Sequence, residues 1–251
     1  MTPLITQTLA LATEQLTAVN TLIGCMRPPL APPGRPQCAL FLTVAEQFEA
    51  AVRLAHAGLI THSAVHVRSM LEATADLHLL GQDSQHVERM RYKQARGEKR
   101  FYDQMLAYEG LPDGVRTMID GRMADCLARY EPLHEEFGGT LPTQAASFKA
   151  AGMDFVIGLY TMLCGFSHND LSALALRHQG DSTMMHRAEV PEAVASLILS
   201  LASTALMHAT YPMNGIAWTP EGEFDRLFGT MNDLHGKMMD LRDASQTADV
   251  Q

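Results

Sequence analysis

The sequence predicts an all-α protein, a single-domain helical bundle, and three observations carry that prediction. Ala, Leu and Met are strong helix formers, and the 251 residues include 16 Met. Runs of β-branched residues, which strands favour, are scarce. Apolar residues recur at helical spacing, and Pro, Gly and capping residues punctuate the segments they define.

Taken in order, Thr2-Pro3 opens the first helix as a cap followed by Pro in the first turn. Leu4, Ile5, Leu9, Leu16, Val19 and Ile23 follow the helical period, and Gly24 ends it. Residues 26–36 carry five prolines and Gly34, a stiff and extended connection. A second helix is expected over about 38–58, with Phe41, Val44, Phe48, Val52 and Ala55 inward. The third, residues 61–80, follows almost at once, so the pair should form an antiparallel hairpin. This third helix is apolar on every side, as in a helix surrounded by protein. Yet it carries Arg68, Glu72, Asp76, His62, His66 and His78, so the rest of the chain must supply their partners.

Gly81 closes that helix, and Asp83 or Ser84 caps a long basic one reaching about Glu109. Gly110, Pro112 and Asp113 mark the start of a fifth helix that runs to about Phe137, where Gly138-Gly139 breaks it. Residues 141–152 read as a short helix or turn, 153–167 as a strongly apolar helix, and 169–187 as irregular with one turn through 171–176. Pro191-Glu192 opens an eighth helix through Leu197, Leu201 and Leu206 to about Ala209. Thr219-Pro220-Glu221 opens a last amphipathic helix to about Arg242, and the polar tail 244–251 is expected to be disordered. There is no internal repeat, and each helix needs its neighbours, so residues 1–243 read as one domain.

Composition narrows the function classes. A net charge of −9 argues against generic binding to nucleic acid or anionic membrane over the whole surface. One local exception is HVERMRYKQARGEKR, residues 86–100, with six Lys/Arg against two Glu; Arg89 and Arg96 belong to it. A solvated face balanced by acidic neighbours explains it better than a phosphate track does. Four cysteines without C-x-x-C spacing read as reduced thiols of a cytoplasmic protein, and the N-terminus lacks a secretory signal. The longest apolar run, 193–207, falls short of a bilayer span and is interrupted by hydroxyl residues, so no membrane is expected.

Two constellations carry candidate chemistry. Arg68 and Glu72 lie at i, i+4 on one face, in the order weaker for an exposed pair. They read as a buried ion pair, structural or aimed at an anion. The second is LYTMLCGFSHNDLSALALRH, residues 159–178, in which Tyr160, Cys164, Ser167 and Leu171 share a stripe and His168, Asn169 and Asp170 lie where the apolar helix stops. His62 and His66 have the i, i+4 spacing of a shared ion, but no H-E-x-x-H and no second ligand helix accompany them. No metal and no cofactor are expected. No Gly-rich phosphate loop and no G-x-S-x-G elbow occur.

The Arg68-x-x-x-Glu72 helix, followed by Tyr160, Leu163-Cys164, Ser167-His168-Asn169, Leu174 and Arg177-His178, resembles a bacterial all-helical family of unknown function, over roughly residues 48–178. That resemblance implies a helical protein whose Arg68, Glu72, Ser167 and His168 meet in the core. Such proteins are similar in outline to the HEPN superfamily (higher eukaryotes and prokaryotes nucleotide-binding), many of whose members are dimeric, metal-independent ribonucleases of toxin or defence systems. The HEPN hallmark is Arg, four to six residues, then His. Here only Arg129 to His134 has that spacing, with Tyr130 and Pro132 departing from the pattern.

Two functions follow as expectations. In the first the chain is an RNA-cleaving enzyme with His168 as acid/base, Arg68 as anion holder, Glu72 as its orienter and Ser167 beside them. Tyr160, Asn169, Arg177, His178, Arg89 and Arg96 would then bind the substrate. In the second the cluster is structural, and the chain is a non-catalytic protein that binds a ligand or partner. Either way a homo-oligomer is expected.

Overall fold

A computed structural model describes residues 1–139, 141–168, 170–180 and 182–248. Its helices are α1 (Pro3–Cys25), α2 (Gly34–His56), α3 (Ile60–Gln82), α4 (His86–Leu106), α5 (Asp113–Phe137), α6 (Gln144–Ala150), α7 (Ile157–Ser167), α8 (Leu171–His178), α9 (Glu192–Thr210), α10 (Met213–Ile216) and α11 (Glu223–Ala248). Among the described residues there is no strand, and the protein is all-α. Where the sequence reading treats 1–243 as one domain, the contacts fall into two compact units. One comprises residues 1–81 and 147–251; the other comprises residues 82–146.

In the larger unit α1, α2, α9 and α11 pack on one another. The α9 window is long and apolar enough to cross a bilayer by length and composition, but 72% of it is buried inside the protein. Val19, Phe41, Phe48, Ile198, Leu206 and Met231 form the centre of the core. α3 buries most of its residues, among them Val67, Met70, Leu71, Ala75 and Leu77, but not the all-round surface expected: His62 and Val65 are exposed and Ser69, Glu72 and Asp76 on the same stripe are half-buried. Its neighbours satisfy its polar groups, as its composition requires. Ser63 Oγ donates to Ala51 O at 2.9 Å, Gln37 Nε2 to Leu77 O at 3.1 Å, and Thr74 Oγ1 to Ala205 O at 3.4 Å. His78 Nε2 reaches His208 O at 3.1 Å.

Several boundaries differ from the sequence reading, each for a local reason. α2 begins at Gly34, inside the Pro-rich stretch, because Pro36 falls in its first turn, where a missing N–H removes no helical bond. The rest of that stretch is pinned by paired backbone bonds between Arg27 and Trp218, at 2.8 and 3.0 Å. α4 stops at Leu106, because the Arg116 guanidinium donates to Leu106 O (3.0 Å) and Tyr108 O (3.3 Å) and satisfies carbonyls the helix leaves open. A 3₁₀ turn, Asp154–Val156, precedes α7, and Gly152 at φ 72° supplies the left-handed turn before it. α8 extends the single turn expected after residue 170 to His178, and α11 continues past Arg242 to Ala248.

The smaller unit is the α4/α5 pair. Tyr92, Tyr130 and His134 stack, with ring centroids 4.9–5.9 Å apart, and Tyr92 Oη bonds His134 Nδ1 at 2.8 Å. α5 runs on through Pro132.

Candidate functional site

α3 and α7 bring together Arg68, Glu72 and Tyr160. Tyr160 Oη donates to Glu72 Oε1 at 2.6 Å and accepts from Arg68 Nε at 3.2 Å, while Arg68 Nε also reaches Glu72 Oε1 at 3.1 Å. Phe148 packs edge-on against the Tyr160 ring, centroids 4.9 Å apart, and fixes its orientation. The hydrogen bond from Arg68 to Tyr160, more than the carboxylate, holds the guanidinium in its charged form. Burial and the bond to Glu72 push the Tyr160 phenol well above its ordinary range, so it carries its proton at neutral pH. The sequence reading places Arg68 and Glu72 deep in the core. Instead their side chains are 27% and 32% exposed, because the pair lies on the flank of α3 that faces the half-covered side of α7.

Ser167 and His168 do not join this triad. Ser167 Oγ donates to Leu163 O of its own helix at 3.2 Å, and His168 is exposed, its backbone N–H bonded to Cys164 O. Ser167 lies seven positions along α7 from Tyr160, an axial rise of roughly 10 Å. Asn169 lies outside the described residues.

Three of the six cations in residues 86–100 are ion-paired within their own unit, and Lys93 and Arg100, like Arg96, are exposed. Arg89 pairs with Asp83, Arg91 with Glu88 at 2.6 Å, and Lys99 with Asp103 at 2.8 Å. Arg129 is held by Glu98 at 2.7 Å, and His134 by Tyr92. The Arg129–His134 spacing therefore serves the α4/α5 packing.

Arg177 and His178 are placed differently. They end α8, and the chain then turns back on them. Gly180 N bonds Thr183 O at 2.9 Å, Met185 N bonds His178 O at 2.7 Å, and Ala188 N bonds Arg177 O at 3.1 Å. This closed loop returns His186 and Arg187 to the end of α8. Arg177 is buried and anchored: Nε donates to Thr61 Oγ1 (3.2 Å), and Nη2 to Thr61 O (3.1 Å) and Phe166 O (3.2 Å). His178 Nδ1 donates to Met185 O at 3.2 Å, which fixes the orientation of its ring.

Between these groups and the α2–α3 turn lies an open cavity of about 150 Å³. Arg177, His178, His186, Arg187 and His62 line it with Thr61 and the backbone around Gly58. Every charged or titratable side chain among its described lining residues is basic. Burial lowers the His62 pKa first, and the charges of Arg177, His178 and Arg187 lower it further. Arg187 also adopts φ 62°, a left-handed conformation that costs a non-glycine residue about 1 kcal/mol.

The sequence reading singles out Arg177 and His178 but not His62, His186 or Arg187 as partners of one site. The available signal is the pair of mirrored doublets, Arg177-His178 and His186-Arg187, flanking a Gly180 turn. His62 is divided from His66, whose Nδ1 bonds Gln47 Oε1 on α2. Among the described residues no group of three His, Cys, Asp or Glu is placed to hold a metal ion.

Comparison with known proteins adds the family. No curated protein and no solved structure matches the chain. A model described as a family of unknown function, DUF5677, matches residues 36–185, from the start of α2 through the loop after α8. The match covers well over half of the chain, which therefore belongs to the DUF5677 family of unknown function.

Proposed function

We propose that the protein is a non-catalytic, ligand-binding helical protein in which the Arg68–Glu72–Tyr160 triad locks α7 onto α3. One observation carries this reading: His168, the expected acid/base, does not join Arg68 and Glu72, whose shared partner is Tyr160. Arg68 Nε is shared between Glu72 and Tyr160, which ties that edge of the guanidinium to the α3–α7 contact, and the Tyr160 phenol keeps its proton at neutral pH. By contrast, two arginines and three histidines line open space at the end of α8.

A ribonuclease of HEPN type is the second reading, and the exposure of His168 favours it, since an acid/base must be reachable by the substrate. It would need another cation to hold the phosphate. Single-stranded RNA incubated with the protein in EDTA separates the two. The binding reading expects no cleavage above background. Cleavage that disappears in His168→Ala, with the helical circular dichroism retained, overturns it.

A further inference from the structure

We infer that the cavity at the end of α8 binds the phosphate group of a small phosphate ester, whose organic part lies in the adjoining cavity. This rests on the reading of the chain as a binding protein and gives that reading a site and a ligand class.

The charge pattern selects the anion. Three separate segments contribute polar nitrogens, His62 from α3, Arg177 and His178 from α8, and His186 and Arg187 from the returning loop, with the two arginines carrying permanent positive charge. A planar carboxylate is satisfied by one bidentate arginine, whereas a phosphate presents oxygens in several directions and matches donors arriving from several sides. The cavity, about 150 Å³, has room for several waters at about 30 Å³ each, or for one group of phosphate size.

Preorganisation supports a binding role. Arg177 is fixed by two backbone carbonyls and a hydroxyl, so its charge stands at a set place beside the cavity with no side-chain freedom left to lose. Arg187 keeps a left-handed backbone that glycine would adopt without strain. A cationic side chain retained at that position points to a use for the charge, because strained residues concentrate where ligands are held. Burial is the first cause of the lowered His62 pKa, and the neighbouring charges of Arg177, His178 and Arg187 add to it, a part that a bound anion would relieve.

The second cavity gives the ligand its body. It measures about 280 Å³ and shares Gly58, Arg187, Ala188 and Val190 with the first. Ile5, Ile60 and Ala195 provide its apolar wall, and Glu189 and Glu192 its polar edge. An ester with its phosphate among the arginines and an uncharged organic group against Ile5 and Ile60 occupies both.

The test is calorimetric titration and thermal unfolding of the full chain with inorganic phosphate, phenyl phosphate and acetate at matched ionic strength. Wild-type protein is expected to bind phosphate saturably, phenyl phosphate more tightly, and acetate much more weakly. Arg187→Gly removes a cation and relieves the left-handed strain. It should leave the ligand-free unfolding midpoint unchanged or higher while weakening phosphate binding by about tenfold or more, the loss of one charge-assisted hydrogen bond. His62→Gln should also weaken phosphate binding. Absence of saturable phosphate binding, or unchanged affinity in both variants, overturns the site. Phenyl phosphate binding no tighter than phosphate overturns the assignment of an ester. RNA cleavage plays no part in these readouts, so the site can fail while the binding-protein reading stands, and the reverse.

Discussion

Tyr160 Oη is shared by the carboxylate of Glu72 and the guanidinium of Arg68, so one atom joins α7 to both charged residues of α3. Tyr160→Phe removes that atom and keeps the ring against Phe148. We expect a loss of about 1–2 kcal/mol in denaturant unfolding, the range for a hydrogen bond to charged groups in a half-buried setting. Glu72→Ala should cost a similar amount, less than the roughly 3–5 kcal/mol of a sealed ion pair, because water reaches both side chains. An unchanged midpoint in both variants would mean that the triad contributes nothing to stability. At this scale the sequence is informative where spacing is local. Arg68 and Glu72 are legible as a pair because i, i+4 residues on a helix must be neighbours. Their exposure is not legible, because it depends on how much of that flank α7 covers. Tyr160 is identifiable as a site residue from its stripe on α7, but its role as the shared partner requires the packing of two helices far apart in sequence.

Helices, and the reasons they end, account for most of what differs between sequence and structure. α2 and α8 are each longer than their local signals suggest, and α4 is shorter because its C-terminal carbonyls are capped by Arg116, a residue from the next helix. The pocket illustrates the same limit. Arg177-His178 and His186-Arg187 are visible as doublets, but only backbone bonds across the 178–188 loop bring them together, and His62 joins from the start of α3. The interfaces among α3, α9 and α11 carry a testable pH dependence. His78, His208 and His235 all have lowered pKa values, burial being the first cause for each. His208 is lowered further by His78, and His235 by His208 and Arg242. Ser203 donates its one proton to Gln15 Oε1 at 2.8 Å, so His235 Nδ1, 2.9 Å away, must be the donor to Ser203 Oγ. In the unfolded chain these rings titrate near 6.5 and bind protons that the folded state refuses. Stability from this source is therefore complete above about pH 6.5 and declines as the pH falls below it towards the lowered native values. Unfolding midpoints measured between about pH 8 and pH 5 should fall on the acid side of 6.5. A flat profile across that range would refute the assignment of neutral, buried histidines.

At the scale of the molecule, the all-helical class follows from composition and period, and the apolar α3 with its charged residues does require surrounding helices, as α2, α7, α8 and α9 supply partners to it. The grouping of residues 82–146 as a separate compact unit was not legible, because α4 and α5 satisfy their charges and stack their aromatic rings chiefly on each other. The basic stretch 86–100, read in sequence first as a solvated face and second as a phosphate track, has three of its six cations ion-paired in the structure. The cationic cavity, in contrast, draws on residues whose charges face a common space. Histidine side-chain resonances, recorded by ¹⁵N–¹H correlation NMR during titration with inorganic phosphate, report on that distinction residue by residue. The account predicts saturable shifts in His62, His178 and His186, with His134 and His168 unmoved; shifts led by His168, or none at the three cavity histidines, would contradict it.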